Sequence, residues 1–337
     1  MFRRAQPALA IGAVALALSL AACGSGSGTG SAGGSSSGGK VKVGLITKTD
    51  TNPYFVKMKQ GAEQAAKSAN AELTTAAGKF DGDNAGQITA LENMVAAGVK
   101  GVLITPNDSK AIVPAIAKAR AKGVLVIALD TPPEPQSAVD ALFATDNVKA
   151  GELIGAYAKA AMGGKPVKIA TMDLAPGVSV GVQRHDGFVK GFGIDASDPS
   201  IVCSQDTGGD QAKGQTAMET CLQKAPDINL VYAINEPAAL GAYTAVKAKG
   251  RENDVMIVAI DGGCTGVRAV KDGKIAATSQ QYPLKMAADG VRAIAEYAKS
   301  GKKASGYTDT GVQLVTDEPQ PGAASEDTGF GLENCWG

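Results

Sequence analysis

The sequence predicts an α/β protein of two lobes, in which each lobe is a doubly wound parallel sheet. From residue 41 onward, short apolar runs alternate with longer amphipathic stretches, as expected for strands and helices of a parallel sheet covered by helices. A proline-rich loop at 131–136 interrupts the alternation, which then restarts as a second unit of similar size. At 337 residues the chain is long enough for two such units.

The first unit begins with an apolar strand at 41–47 and a helix at 53–70 whose first turn holds Pro53. Proline suits that position because its fixed φ angle matches the helix and its missing N–H has no partner there. Asp83 and Asn84 are expected to cap the second helix. The other predicted elements are strands at 72–76, 101–105, 124–129 and 141–145, and helices at 84–97 and 109–122.

The second unit repeats the pattern and ends in a segment, 319–337, that is expected to be irregular. Its predicted helices cover residues 148–162, 178–192, 211–224, 237–249, 266–271 and 284–300. Its predicted strands cover residues 167–172, 201–204, 230–233, 255–260, 275–280 and 311–315.

The first 39 residues predict export and lipid attachment. Arg3-Arg4 precedes an apolar run at 8–22 that is short for a transmembrane helix. The run ends in Leu20-Ala21-Ala22-Cys23, which resembles a bacterial lipoprotein signal in which residues 1–22 are removed and Cys23 is acylated. Residues 23–39 are almost wholly Gly and Ser and are expected to form a flexible tether. We therefore expect a protein anchored by lipid to the extracytoplasmic face of the cell membrane; an ordinary secretory signal is the alternative.

The cysteine count fits an exported protein. The sequence has five cysteines, and if Cys23 carries lipid, the other four are expected to form two disulfides. Four cysteines allow three pairings. We favour Cys203 with Cys221, which would close a short loop and stabilise the fold by ~3 kcal/mol. Cys264 with Cys335 would then hold the end of the chain on the second lobe.

Composition and motifs argue against several classes of function. Lys plus Arg and Asp plus Glu number 33 each, so no polyanionic partner such as nucleic acid is indicated. His185 is the only histidine and no CxxC spacing is present, which makes a zinc site improbable. No nucleophile elbow or phosphate-binding loop occurs. We therefore expect no catalysis and no cofactor, with a glycosidase built on Asp130 and Asp261 as the remaining enzymatic alternative.

The loop after the first strand is the first candidate ligand site. Ligands of open parallel sheets bind where strands end, and here Asn52, Tyr54 and Phe55 follow the strand at 41–47. An amide beside two aromatics suits a small polar molecule with one apolar face. The alternative is that the aromatics pack the helix on the sheet, which for Phe55 is about as plausible as ligand contact.

The two units also carry similar residues at the ends of corresponding strands. The strand 126–129 ends in Asp130 and the strand 257–260 ends in Asp261, while Asn235 opens a helix as Asn52 does. Two such edges facing each other would form a cleft that suits neutral sugars, whose hydroxyls both donate and accept hydrogen bonds. Arg184 would be the natural fork for two oxygens. The alternatives are helix and turn capping for the Asn and Asp residues, and a salt bridge to Asp173 or Asp186 for Arg184.

These residues resemble the sugar-binding proteins of ABC transporters, a family that includes ribose- and fructose-binding members. The resemblance covers residues 41 to about 315. It is specific at Asn52-Pro53-Tyr54-Phe55, Ile127-Ala128-Leu129-Asp130, Arg184 with Gly187-Phe188, Asn235-Glu236, Ala259-Ile260-Asp261-Gly262 and Gln281.

The resemblance implies the type I periplasmic binding protein fold, in which two lobes joined by a three-crossing hinge close around a ligand. The crossings would lie near Thr145, Gln281 and Asp309. One lobe would then comprise residues 40–144 and 282–308, and the other residues 145–281 and 309–337.

The same resemblance implies a set of ligand-binding residues: Asn52, Tyr54, Phe55, Asp130, Thr131, Arg184, Asn235, Asp261 and Gln281. Thr131 stands where ribose binders have an arginine, and Gly208-Gly209-Asp210 stands where they have an aromatic, so the pocket is expected to differ from a ribose site. Lys48 is expected to be solvated by default, with ligand contact as the alternative.

The loop 47–51 and the run 209–216 are more similar to the fructose-binding branch, so the expected ligand is fructose or a similar monosaccharide. The expected partner is an ABC-transporter permease, and the protein is expected to be a monomer. The alternatives are a ligand-binding sensor for a membrane signalling receptor and a binder of a non-sugar polyol. A sugar-responsive repressor would need a DNA-binding segment where the lipoprotein signal stands.

Overall fold

The computed structural model describes residues 39–337. The predicted signal peptide at 1–22, the acylation site Cys23 and all but the last residue of the predicted tether lie outside the described residues. Residues 40–337 form one compact unit. Within them the chain folds into two six-stranded sheets flanked by helices, which confirms the predicted fold class.

The strands of this unit are mostly short and buried. They are β1 (Val41–Thr47), β2 (Ala71–Ala77), β3 (Gly101–Ile104), β4 (Leu125–Leu129), β5 (Ala141–Ala144), β6 (Ile169–Asp173), β7 (Ile201–Asp206), β8 (Leu230–Ala233), β9 (Met256–Asp261), β10 (Ala277–Gln280), β11 (Gly306–Asp309) and β12 (Gln313–Val315). The helices are α1 (Pro53–Ser68), α2 (Asn84–Ala96), α3 (Val113–Ala121), α4 (Asn147–Met162), α5 (Ser179–Phe192), α6 (Gln211–Lys224), α7 (Glu236–Ala248), α8 (Cys264–Lys271), α9 (Pro283–Ser300) and α10 (Thr328–Asn334).

Each sheet is built from parallel strands, with one antiparallel edge in the second. The first sheet has the order β11-β5-β4-β3-β1-β2, and the second has the order β12-β10-β9-β8-β6-β7, in which β12 runs antiparallel to β10. Strands such as β4, in which every residue is buried, read as continuous apolar runs because helices cover both faces of a parallel sheet. No helix in residues 39–337 has the length and apolarity needed to cross a membrane.

Two elements differ from the sequence-based expectation. The four residues of β11 are exposed and carry no apolar alternation, so nothing in their pattern indicated a strand; pairing with β5 makes them one. The segment 319–337 was expected to be irregular, but it contains α10, which begins where the Asp327 side chain accepts a hydrogen bond from the Phe330 N–H at 2.9 Å.

In the described part of the chain, the polypeptide passes from one sheet to the other after β5, after β10 and after β11. Helix α4 follows the first passage and packs on β9 and β10, whereas α9 follows the second and packs on the first sheet. These passages lie at 145–146, 281–282 and 310–312, close to one another where the two sheets meet.

Two disulfides are present among residues 39–337. Cys203 of β7 is bonded to Cys221 of α6, and Cys264 at the start of α8 is bonded to Cys335 just after α10. The second bond joins the last described residues to the element that follows β9.

Candidate ligand-binding site

Most of the expected ligand-binding residues lie at the carboxyl ends of strands that face each other across the gap between the two sheets. Asn52, Tyr54 and Phe55 follow β1, and Asp130 follows β4. From the second sheet, Asn235 follows β8, Asp261 ends β9 and Gln281 follows β10. Together with Arg184 of α5 these residues line one small cavity.

Arg184 links the two carboxylates of this cavity. Its Nη2 donates to Asp130 Oδ1 at 3.4 Å, and its Nη1 lies 3.7 Å from Asp261 Oδ1. All three side chains are at least 94% buried. The alternative that Arg184 pairs with Asp173 or Asp186 is wrong, because Asp173 bonds instead to His185 Nδ1 at 2.9 Å.

Asn147 holds the guanidinium group and was not identified from the sequence. Its Oδ1 accepts from Arg184 Nε at 2.8 Å, and its Nδ2 donates to the backbone oxygens of Asp130 and Thr145. Arg184 Nη1 also donates to the Ile234 oxygen at 3.1 Å. Asn147 begins α4 directly after a passage between the sheets, so the rule that strand ends carry the site would have indicated it.

Close packing of α4 against α5 brings Arg184 of α5 next to the start of α4. A Cβ on Gly151 would lie 2.2 Å from the Arg184 carbonyl oxygen, and a Cβ on Gly187 would lie 2.2 Å from the Val148 oxygen. The two glycines therefore allow the helix backbones to touch. This contact brings Arg184 against Asn147 and the carboxylates.

Tyr54 forms the aromatic wall of the cavity and contributes a polar group. Its hydroxyl lies 3.2 Å from both Asp130 Oδ1 and Gln281 Oε1, and Gln281 Nε2 donates to Asp261 Oδ1 at 2.8 Å. Burial and, after it, the negative charge of Asp130 raise the pKa of Tyr54 well above its ordinary value, so the hydroxyl stays protonated. Phe55 stands edge-on to Tyr54 and packs in the core, and it also lines the same cavity.

The amide residues Asn52 and Asn235 line the cavity and also cap helices. Asn52 accepts from the Tyr54 N–H at 3.0 Å, and Asn235 accepts from the Ala238 N–H at 3.0 Å while donating to the Gly209 oxygen. Thr131 lies behind the site rather than in it, and its hydroxyl donates to Asp130 Oδ2 at 2.7 Å. Its role in this structure is to orient the Asp130 carboxylate.

The expectation that Lys48 is solvated is wrong, since only 2% of the residue is exposed and it lines the cavity. Among residues 39–337 its amino group has no hydrogen-bond or ion-pair partner within the usual distances. The nearby Asp81 also lines the cavity, and its Oδ1 is buried without a partner in the described chain. Burial raises the pKa of Asp81 and the charge of Lys48 opposes that rise.

Glu236, next to Asn235, forms a second buried carboxyl group behind Asp261. It accepts from the N–H groups of Gly262 and Gly263 at 2.8 and 3.0 Å and from the Thr278 hydroxyl at 2.7 Å. Burial, followed by the charge of Asp261, raises the pKa of Glu236 to about 8. Burial likewise raises the pKa of Asp261 to about 7, against the lowering effect of the Arg184 charge.

Two carboxylates that line the cavity, Asp130 and Asp261, have backbone φ angles that residues other than glycine rarely adopt. The φ angle is 60° at Asp130 and 148° at Asp261. Such conformations cost on the order of 1–3 kcal/mol each and persist where the surrounding structure enforces them. Both carboxylates therefore lie at positions of backbone strain, which is common at ligand sites.

The cavity itself is small, at about 30 Å³, and opens towards a larger one of about 480 Å³. The inner space is enough for a water molecule rather than a sugar ring. Asn52, Asp81, Gly209 and Asp261 line both cavities. A molecule of the size of a monosaccharide therefore does not fit in the inner cavity in this state.

The sequence of this chain is similar to those of known binding proteins. The model of a family described as "Periplasmic binding protein domain" matches residues 43–303. The ribose import binding protein of Bacillus subtilis is 36% identical over 241 residues, which cover 72% of this chain and 76% of that protein.

Solved structures agree with this sequence match. An ABC transporter periplasmic solute binding protein from Actinobacillus succinogenes with bound D-allose has a TM-score of 0.74 and 30% identity, covering 82% of this chain and 98% of that one. An ABC transporter solute binding protein from Mycobacterium smegmatis with bound glycerol has a TM-score of 0.75 and 29% identity, covering 82% and 94%. These relatives are solute-binding proteins rather than enzymes.

Proposed function

This chain belongs to the periplasmic binding protein domain family, and from that premise we propose that it captures a monosaccharide outside the cytoplasm and delivers it to an ABC-transporter permease. The observation that carries the proposal is the buried Arg184 placed between Asp130 and Asp261, with Tyr54 beside them. Relatives named for ribose and for D-allose give the same class of ligand.

The chemistry of the cavity suits a sugar. Carboxylates accept hydrogen bonds from two hydroxyl groups each, while Arg184 and Lys48 donate to sugar oxygens. The rings of Tyr54 and Phe55 provide an apolar face for the C–H groups of a sugar. Because buried polar groups left unpaired cost more than each bond contributes, selectivity depends on satisfying all of them at once.

Capture would proceed by closure of two lobes around the sugar. We assign residues 40–144 and 282–308 to one lobe and residues 145–281 and 309–337 to the other, with hinge crossings near Thr145, Gln281 and Asp309. Each lobe then contributes one carboxylate, so that a sugar bridging Asp130 and Asp261 favours the closed state. The proposed lipid on Cys23, after removal of 1–22, would hold the receptor near its permease through the tether 23–39.

We propose fructose or a similar monosaccharide as the ligand. The unpartnered Lys48 amino group supports a ligand with an additional oxygen on that side of the cavity. The segments 47–51 and 209–216, with their similarity to the fructose-binding branch, favour a ketohexose over ribose.

A thermal-shift panel tests the ligand class. Residues 40–337 would be heated with fructose, ribose, allose, glucose, galactose, myo-inositol and glycerol, and a ligand at a hundredfold excess over its Kd should stabilise the protein by about 2.7 kcal/mol. A shift with fructose alone supports the full proposal. A shift with ribose or allose contradicts the fructose assignment, and a shift with polyols only contradicts the sugar assignment.

Variants test the residues. Asp130→Ala and Asp261→Ala should each weaken binding at least tenfold, about 1.4 kcal/mol, because each carboxylate holds sugar hydroxyls. Asp50→Ala is the matched control, since Asp50 is exposed in the loop between β1 and Asn52. Circular dichroism should show the fold intact, and wild-type affinity in either variant would refute the assignment of that carboxylate.

A further inference from the structure

The last described residues, 328–337, reach the candidate ligand site; we call them the tail. The tail lies beyond residue 303, where the match to the family model ends. Its Cys335 is bonded to Cys264, and the Cys264 N–H donates to the Trp336 oxygen at 2.9 Å. Trp336, the only tryptophan in the sequence, is therefore fixed to the turn that follows β9, yet it is only 6% exposed.

The indole ring of Trp336 contacts both Gln281, which follows β10 of the second sheet, and Tyr54, which follows β1 of the first sheet. Its Nε1 donates to the Gln281 backbone oxygen at 2.9 Å, and its ring stands edge-on to Tyr54 with centroids 5.3 Å apart. The ring belongs to the apolar cluster of the first sheet, with Phe55 and Met286. The tail is bonded through Cys335 to the start of α8, which follows β9 of the second sheet. Trp336 thus connects this segment to the core of the first sheet.

The turn beneath the indole is shaped to receive it. A Cβ on Gly263 would lie 3.2 Å from Cη2 and Cζ3 of Trp336, so a larger residue would push the ring away. The same Gly262–Gly263 turn donates its N–H groups to Glu236 and follows directly after Asp261. Displacing the indole would therefore disturb Tyr54, Gln281 and the turn behind Asp261 together.

We propose that Trp336 is a positioning residue of the sugar site and that the Cys264–Cys335 disulfide holds it in place. The inference rests on the proposed function. Packing against the indole fixes the Tyr54 ring, so that its hydroxyl reaches Asp130 and Gln281. The Nε1 hydrogen bond fixes the Gln281 backbone, so that the Gln281 side chain reaches Asp261. The tail also supplies an aromatic beside the cleft, where Gly208 and Gly209 of the second sheet offer none.

Calorimetric titration of residues 40–337, which form one compact unit, tests the role with the best sugar of the panel. Trp336→Ala removes an aromatic contact and a hydrogen bond, which together account for an affinity loss of about tenfold or more. Trp336→Phe keeps a ring against Tyr54 and is expected to recover most of that loss. Positioning through Tyr54 also predicts that Tyr54→Phe and Trp336→Ala combine to less than the product of their separate losses, because the two residues are coupled.

The two disulfides provide a matched pair of variants. Cys264→Ser with Cys335→Ser should weaken binding about as much as Trp336→Ala, whereas Cys203→Ser with Cys221→Ser should leave affinity unchanged. Because the sequence has one tryptophan, its fluorescence reports this site alone. Sugar should change the emission in the wild type, and opening of the Cys264–Cys335 bond should shift the emission to longer wavelength as the indole becomes exposed.

The outcomes separate this inference from the function on which it rests. If the wild type binds no sugar, the proposed function fails and the inference fails with it. If the wild type binds a sugar and Trp336→Ala binds it equally well, only the inference is overturned. Fully multiplicative losses with Tyr54→Phe would also overturn positioning through Tyr54. If Trp336→Ala does not fold, Trp336→Phe and the Cys264 and Cys335 double variant decide the question by the same criteria.

Discussion

Replacing Arg184 by methionine tests whether this residue neutralises the two carboxylates of the site. The substitution keeps most of the length of the side chain and removes its charge. Asp130 and Asp261, each 3% exposed, would then face each other without a cation. Removing one partner of a buried ion pair costs about 3–5 kcal/mol, so we expect a loss near 4 kcal/mol in the free energy of unfolding at pH 7.5.

The sign of the pH dependence makes the test specific. The Arg184 charge lowers the pKa of Asp261, so its removal raises that pKa further above the unfolded value. A carboxyl group with a raised native pKa stabilises the fold at low pH and loses that contribution as pH rises through the native pKa. The penalty in the variant should therefore shrink by up to about 1.4 kcal/mol for each pH unit between the native pKa of Asp261 in the variant and its wild-type value of about 7, and it should stay constant at lower pH, where both native states hold the proton.

Urea unfolding at pH 5.0 and 7.5 measures both quantities. Arg120→Met is the control, because Arg120 pairs with Asp140 away from the site and is one-third exposed, so it should cost only about 1 kcal/mol with a weaker pH dependence. A loss below about 1 kcal/mol for Arg184→Met at pH 7.5, or a loss that does not diminish at pH 5.0, would show that other groups neutralise the carboxylates.

Three further predictions concern the groups around Arg184. Because the pKa of Glu236 is raised to about 8, the free energy of unfolding should fall by up to about 1.4 kcal/mol per pH unit between pH 5 and 8. Urea titrations of Glu236→Gln should show a flatter slope, and an unchanged slope would show that Glu236 does not cause it. Gly151→Ala should lower Tm by several degrees and weaken sugar binding, because the added Cβ would collide with the Arg184 backbone oxygen. Lys159→Ala is the control on the same helix, since Lys159 is exposed, and it should leave both Tm and sugar affinity unchanged. Asn147→Ala should weaken sugar binding about tenfold and lower the free energy of unfolding by about 2 kcal/mol, because Arg184 Nε is left unpaired. An affinity equal to that of the wild type in titration calorimetry would show that Arg184 needs no such support.

The sequence was most informative where strands end. Continuous apolar runs mark the parallel strands, and the polar residues that follow them, such as Asp130 and Asp261, meet at one edge because parallel strands point the same way. Asn147 also follows a strand, β5, but the similarity between the two units points to Asn52, Asn235, Asp130 and Asp261 and not to Asn147. Strand β11 was missed because exposed edge residues need no apolar pattern.

Other parts of the site depend on contacts between residues far apart in the chain, which local pattern does not encode. Lys48 is 2% exposed and lines a cavity together with residues that follow strands of both sheets, such as Asp130 and Asp261. Trp336 reaches Tyr54, 282 residues earlier, through the tail, which the Cys264–Cys335 bond and the packing of α10 on α8 hold beside the turn after β9. The disulfide pairing was predicted from spacing, but its consequence for the ligand site required the fold.

The bonds of Arg184 also determine how sugar affinity should be interpreted. In the described state the guanidinium already lies between Asp130 and Asp261, so a sugar that binds there exchanges existing ionic contacts for its own hydrogen bonds. Affinity then reflects a difference between two well-satisfied states, each stabilised by charge-assisted bonds. Support of Arg184 by Asn147 acts on both states, because the guanidinium also has to be held in place when it donates to the sugar. The tenfold loss expected for Asn147→Ala therefore measures how much more the sugar-bound state depends on that support than the sugar-free state does.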